Sequence, residues 1–255
     1  MTMNILVCVK RVPATGGKVS LTPDEQEIDT RFLGFTISPH EECAVEEAVR
    51  LMEAQGGSVT VLTLGPEAAT EQLRDALAVG VERAILLDSG GQEWDAGATA
   101  SAIVQAVRAQ PQPFDVLLFG NESADAGGYQ VGIRVAQALD LPVVTGVKEL
   151  KIEGGQATAR REAPGGWETY SVSLPAVVTI KEGINLPRYP SMPGRLKAKK
   201  KPIEKLQPER REAGLEKVRL RLPPEKESQA EMLGKGLEAV PAVVEVLKKL
   251  GMLQP

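Results

Sequence analysis

Short apolar runs alternate along the chain with segments whose apolar positions recur every three to four residues. "NILVCVK" (Asn4 to Lys10) is β-branched and is followed by Pro13 and glycines, which predicts a strand buried on both faces. "SPHEECAVEEAVRLMEA" predicts a helix with Ser38 as cap, Pro39 in the first turn and Glu41 completing a capping box. Its stripe is Ala44, Val45, Ala48, Val49 and Met52, with Glu46, Glu47, Arg50 and Glu53 turned to water. "SVTVLTL" (Ser58 to Leu64), "RAILLD" (Arg83 to Asp88) and "FDVLLFG" (Phe114 to Gly120) read as further buried strands. Helical patterns follow each: one through Val79, one from Ala96 to Val107, and "YQVGIRVAQAL". Such alternation predicts an α/β fold, a doubly wound and mostly parallel sheet of Rossmann-like type with right-handed crossovers.

The period then changes. "VKELKIEGGQATARRE" and "WETYSVSL" alternate polar and apolar residues around glycine turns, which predicts an antiparallel ribbon over 146–174. "PAVVTI" (Pro175 to Ile180) returns to buried-strand composition and should rejoin the sheet, closing a domain over 1–185. In "RYPSMPGRLKAKKKPI" (Arg188 to Ile203) the prolines exclude helix interior and central strand for Tyr189 to Gly194, so a surface loop is expected there. That loop and the lysines behind it define a segment 186–206. The remainder, 207–255, is an extended tail ending in "AVPAVVEVLKKLGML", a short helix with Val243, Val244 and Leu247 on one side. It has no core of its own and must dock on this chain or on a neighbouring subunit.

Composition narrows the chemistry. The chain has 255 residues, 42% hydrophobic but only 4% aromatic, so its core must be aliphatic. A net charge of −4 argues against general nucleic-acid affinity. Cys8 and Cys43 have no metal-ligand spacing and read as buried thiols of a reducing, cytoplasmic setting. "MTMN" leads straight into the first strand with no signal-peptide pattern, and no run approaches membrane-spanning length. The single histidine, His40, leaves no material for a His-based triad or a His-rich metal site, so no catalytic residue is expected.

Ligands of open parallel sheets bind beyond the carboxyl ends of the strands. Of the four segments expected there, "GNESADAGGYQVG" is the most informative. It sets Asp125 and Gly127-Gly128 ahead of a helix beginning near Tyr129, where free N–H groups would receive an anion. Neither GxxxxGK[ST] nor GxGxxG occurs, which points away from triphosphate chemistry and from a standard dinucleotide site. Taken alone, Gly127-Gly128 also reads as a plain loop-to-helix joint, Ser38 as a helix cap and His40 as a surface imidazole.

"ILVCVKRV" at the amino end, "AVEEAVRL" (Ala44 to Leu51), "LPAVVTI" (Leu174 to Ile180) and "PRYPSMPGRLKAKKKPI" (Pro187 to Ile203) together resemble the β (small) subunit of electron transfer flavoprotein. The resemblance spans residues 3–206. It implies a heterodimer with an α subunit that holds most of one FAD, takes electrons from acyl-CoA and related dehydrogenases, and passes them to a membrane quinone oxidoreductase. It further implies a structural AMP in this chain, at Cys8, Val9, Ser38, Leu64, Asp125, Gly127, Gly128, Tyr129, Gln130, Val131 and Gly132. Many members carry Asn at Ser38 and Asn-Gln-Thr at Tyr129-Gln130-Val131, which shifts phosphate contacts here toward backbone N–H groups. Thr15 and His40 fall where some relatives place aromatics against the flavin.

The same resemblance makes the proline loop a recognition loop. Tyr189, Met192, Pro193, Lys197, Lys199, Lys200 and Lys201 would meet partners, with flexible, polarizable Met192 as the apolar anchor. By themselves the lysines read as a solvated charge run. The tail from 207 would pack on the partner subunit. Two alternatives stay open: a flavin-bifurcating subunit with a second FAD in place of AMP, given Gln130-Val131-Gly132, and a stand-alone adenine-nucleotide-binding signalling module.

Overall fold

A computed structural model describes residues 2–14, 16, 19–212, 214–224 and 230–253. In chain order the first elements are β1 (Met3–Cys8), β2 (Val12–Pro13), β3 (Phe35–Thr36), α1 (Pro39–Gln55), β4 (Gly57–Gly65), α2 (Thr70–Ala78), β5 (Arg83–Asp88), α3 (Ala96–Arg108) and β6 (Val116–Gly120). Next come α4 (Val131–Leu139), β7 (Val143–Glu153), β8 (Gln156–Ala163), β9 (Gly166–Ser173), β10 (Ala176–Ile180), α5 (Met192–Lys200), β11 (Glu204–Leu206) and α6 (Val240–Lys249). Two compact units divide the chain, Met1–Arg219 and Leu220–Pro255.

The first unit is built on a nine-stranded sheet in the order β11-β5-β4-β1-β6-β10-β7-β8-β9. Every pair from β11 to β7 is parallel, and β7-β8 and β8-β9 are antiparallel. Side chains alternate across the pleat. Ile5 and Val7 of β1 enter one core with α1 and α2, while Leu6 and Cys8 enter the other with α3 and α4. The doubly wound sheet is therefore as expected, and β10 rejoins it between β6 and β7. The ribbon is a three-stranded extension whose first strand, β7, begins parallel to β10.

Four local readings are corrected. Met192 to Gly194 is not loop but the first turn of α5: Ser191 Oγ accepts from the Gly194 N–H at 3.1 Å, and Pro193 stands where a helix needs no amide donor. Glu46 does not face water. It is 3% exposed because Arg50 and Arg188 both reach it, at 2.6 and 2.8 Å. Lys201 turns inward, its ammonium donating to the Val81 carbonyl at 2.7 Å. Residues 204–206 form an extra edge strand beside β5.

The second unit holds α6, none of whose side chains is buried; Val240, Val243, Val246 and Leu250 are exposed. Among the described residues no helix is long and apolar enough to cross a membrane.

Candidate functional site

Strand order reverses at β1, which lies between β4 on one side and β6 on the other. A crevice opens at such a switch point, because the connections leaving adjacent strands diverge. Here it is a cleft of about 410 Å³ over the carboxyl ends of β5, β4, β1 and β6. Cys8, Val9, Leu64, Gly128, Tyr129, Gln130, Val131 and Gly132, among the residues to which the resemblance assigns AMP, line it.

Ser38, Asp125 and Gly127, also predicted, are not among its lining residues. Ser38 is fully buried and its Oγ accepts from the Ala124 N–H at 2.8 Å, so it pins the loop after β6 to the start of α1. Asp125 receives the Lys10 ammonium at 2.6 Å. Burial acts to raise its pKa, but the hydrogen bonds and charge of Lys10 outweigh that and hold the carboxyl below its usual range. Gly127 takes φ of +54° and Tyr129 +55°, forming the turn that delivers the chain into α4. His40 Nδ1 accepts from the Glu182 N–H at 2.7 Å, which leaves Nε2 to carry the proton toward Glu122 at 3.3 Å. Thr15 lies outside the described residues.

The helix starts around the cleft differ in a way that matters for anions. Ala98 N–H in α3 is satisfied by Asp95 Oδ1 at 2.7 Å. In α1, Glu41 Oε2 accepts from Ser38 N–H at 3.0 Å, the carboxylate arm of the expected capping box. α4 has Gln130 as cap residue and, unlike α3, no side-chain cap hydrogen bond. Gly128 to Val131, at its start, form one edge of the cleft, and a helix N-terminus with free N–H groups and the helix dipole favours negative charge. Arg134 stands one turn in, held by Gln130 Oε1 at 3.0 Å.

Several cleft residues carried no sequence signal. Glu41 was legible as a cap but not as a buried lining residue. Its other oxygen accepts from Lys10 N–H at 3.0 Å, and desolvation pushes its pKa up to about 8 against the pull of those two hydrogen bonds. Burial, with Glu41 nearby, pushes the Cys8 thiol far up, so it is inert at neutral pH. Arg11 lies 3.3 Å over the Phe35 ring, Thr179 hydroxyl donates to Asn121 Oδ1 at 2.9 Å, and Trp94, Asp95 and Leu215 form the far wall. Among the described residues no three His, Cys, Asp or Glu side chains gather as a metal site.

The expected partner surface is exposed: Tyr189 at 96% and Met192 at 71%, joined by Leu186 and Leu196. Arg188 anchors it from below through Glu46 and Glu53, at 2.8 and 2.7 Å. Pro193, Lys197, Lys199 and Lys200 are exposed on α5.

A doubly wound, mostly parallel sheet with a cleft at its switch point defines a Rossmann-like α/β protein. The electron transfer flavoprotein domain matches residues 28–210, and the chain belongs to that family. It is 36% identical over 255 residues to the electron transfer flavoprotein subunit beta of Bacillus subtilis, covering 96% of this chain and 98% of that one. The subunit beta of Syntrophomonas wolfei is 37% identical, over 89% and 88% of the two chains. At 35% identity, over 79% and 77%, stands the caffeyl-CoA reductase-Etf complex subunit CarD of Acetobacterium woodii.

Proposed function

We propose that this chain is the β subunit of a heterodimeric electron transfer flavoprotein. It binds one AMP in the switch-point cleft and helps to hold an FAD that resides mainly on the α subunit. Electrons come from acyl-CoA and related dehydrogenases, as in fatty acid oxidation, and leave to a membrane quinone oxidoreductase. The FAD supplies the redox chemistry; this chain supplies binding and docking and has no catalytic residues of its own.

One observation carries the AMP reading: the α4 start has no side-chain cap, and its residues Gly128 to Val131 line the cleft. The monophosphate would take the Tyr129 to Gly132 N–H groups, with the nucleoside over the ends of β1 and β4. A volume of about 410 Å³ lies in the lower half of the usual small-molecule range, which favours a mononucleotide. For docking, exposed Tyr189 and Met192 on an Arg188-anchored base offer a preorganised apolar contact. The exposed apolar residues of α6 suit a partner surface, and on that ground we assign the α6 end of the 207–255 arm, not the strap at 207–219, to the α subunit.

A second reading, a bifurcating subunit with FAD in the cleft, draws on Gln130-Val131-Gly132 at the cleft edge. Mass spectrometry of nucleotide released from the denatured complex separates the two. AMP with one FAD per heterodimer is expected; two FAD and no AMP would establish the second reading. Produced alone, the chain is expected to be colourless, and a stoichiometric flavin on it would overturn the subunit assignment.

A further inference from the structure

Two buried side-chain nitrogens in the cleft wall, Arg11 Nε and Trp94 Nε1, have no hydrogen-bond partner. The Arg11 guanidinium lies flat on Phe35, where the aromatic face receives its charge. Nothing comparable meets the Trp94 N–H. A buried donor left unpaired forfeits its hydration without return, and native interiors hold few of them. Indole offers one donor and no acceptor, so its partner must bring a lone pair.

We propose that Trp94 is a ligand-contact residue whose indole N–H donates to a ring nitrogen of the purine base held in this cleft. The inference rests on the nucleotide reading above and extends it to the base. Orientation follows from the two helix starts. Asp95 already satisfies the start of α3, immediately after Trp94, whereas α4 is open to a phosphate. Beside Trp94 the lining is apolar, from Leu64, Ile103 and Leu215, which suits a flat base.

The far wall is braced from outside. Gly214 and Leu215 N–H groups both donate to Asp95 Oδ2, at 2.8 and 3.1 Å. Arg210 lies 5.7 Å from the indole ring centroid, bonded to the Gln92 side chain and the Glu93 carbonyl, and Lys217 pairs with Glu93. This strap holds the indole from one side, and because the N–H is covered, a ligand must displace what covers it to accept the hydrogen bond.

The chain has only two tryptophans, Trp94 and Trp167. With ¹⁵N-tryptophan in this chain, assembled with its α subunit and freed of nucleotide, two indole signals are read, and Trp167→Phe assigns them. AMP is expected to move the Trp94 indole proton downfield, while inorganic phosphate leaves it in place. Trp94→Phe keeps an aromatic ring in the wall and removes the N–H. AMP binding by calorimetry should weaken about three- to tenfold, the worth of one net hydrogen bond. AMP binding with the Trp94 signal unmoved, or undiminished binding by Trp94→Phe, overturns the inference alone. If the wild-type complex binds no AMP, the nucleotide reading falls and takes this one with it. Should Trp94→Phe fail to assemble, the signal of the unmutated indole decides.

Discussion

Glu41 ties the end of β1 to the start of α1 by accepting two backbone N–H groups from inside the fold. Its folded pKa of about 8 stands above the usual 4.5, so the folded state keeps the proton longer than the unfolded chain does. The stability it contributes is full below 4.5 and declines as pH rises toward about 8. Glu41→Gln has no proton to lose. Its Tm is expected to rise relative to wild type across that window, on top of a pH-independent loss of one acceptor; a constant difference would mean the carboxyl stays ionised throughout. Two glycines separate site from scaffold. A Cβ on Gly132 would lie 2.9 Å from Thr179 and 3.3 Å from Phe119, so Gly132→Ala should cost about 1–3 kcal/mol in denaturant unfolding. A Cβ on Gly128 meets nothing within 4 Å. Gly128→Val should shift stability by less than about 0.5 kcal/mol yet empty the complex of AMP. Full AMP retention by that variant would place the phosphate elsewhere.

Elements are joined here by single side chains serving two structures. Asp95 gives one oxygen to α3 and the other to the strap at Gly214 and Leu215. Asparagine caps helices as well as aspartate does, but has only one acceptor. Asp95→Asn is therefore expected to keep global stability while the Gly214 and Leu215 amides exchange faster with deuterium. Asp95→Ala should add the loss of a cap, about 0.5–2 kcal/mol. Equal exchange in wild type and Asp95→Asn would show that the strap is held by its other contacts. Arg188 plays the matching role for the loop ahead of α5. Burial acts to raise the Glu46 pKa, and hydrogen bonds from Arg188 and Arg50 overcome it, holding the carboxyl below its usual value. That contribution is present above the unfolded pKa and is lost as acid protonates Glu46.

For the whole molecule, docking and cofactor content should separate. Met192 is 71% exposed, so Met192→Ala should leave AMP, FAD and Tm nearly unchanged. Loss of a central apolar anchor costs about 2 kcal/mol or more, weakening reduction by a cognate acyl-CoA dehydrogenase more than about tenfold. Reversing the charges of Lys199 and Lys200 should slow association instead, and the effect should fade as salt rises. Met192→Ala coupling like wild type while its stability collapses would make the residue structural packing.

The alternation of apolar runs and helical stripes was enough to determine the doubly wound sheet, the return of β10 and the start of α1. Each depends on preferences acting within about a dozen residues. The loop into α4 was legible for the same reason, because its glycines sit beside the helix they introduce. What escaped depends on residues far apart in sequence. Glu46 is buried because Arg188, 142 positions later, neutralises it, and Asp95 reaches a strap 119 positions away. Lys201 turns inward because the Val81 carbonyl lies beneath α5. Met192 joins a helix because Ser191 and Pro193 make a helix start once α5 packs on α2, where its Ala198 is buried. Trp94 meets the cleft only because β5 ends beside β4, whose own end completes the pocket. No local pattern encodes such pairings: they exist only after the sheet brings its strand ends to one edge.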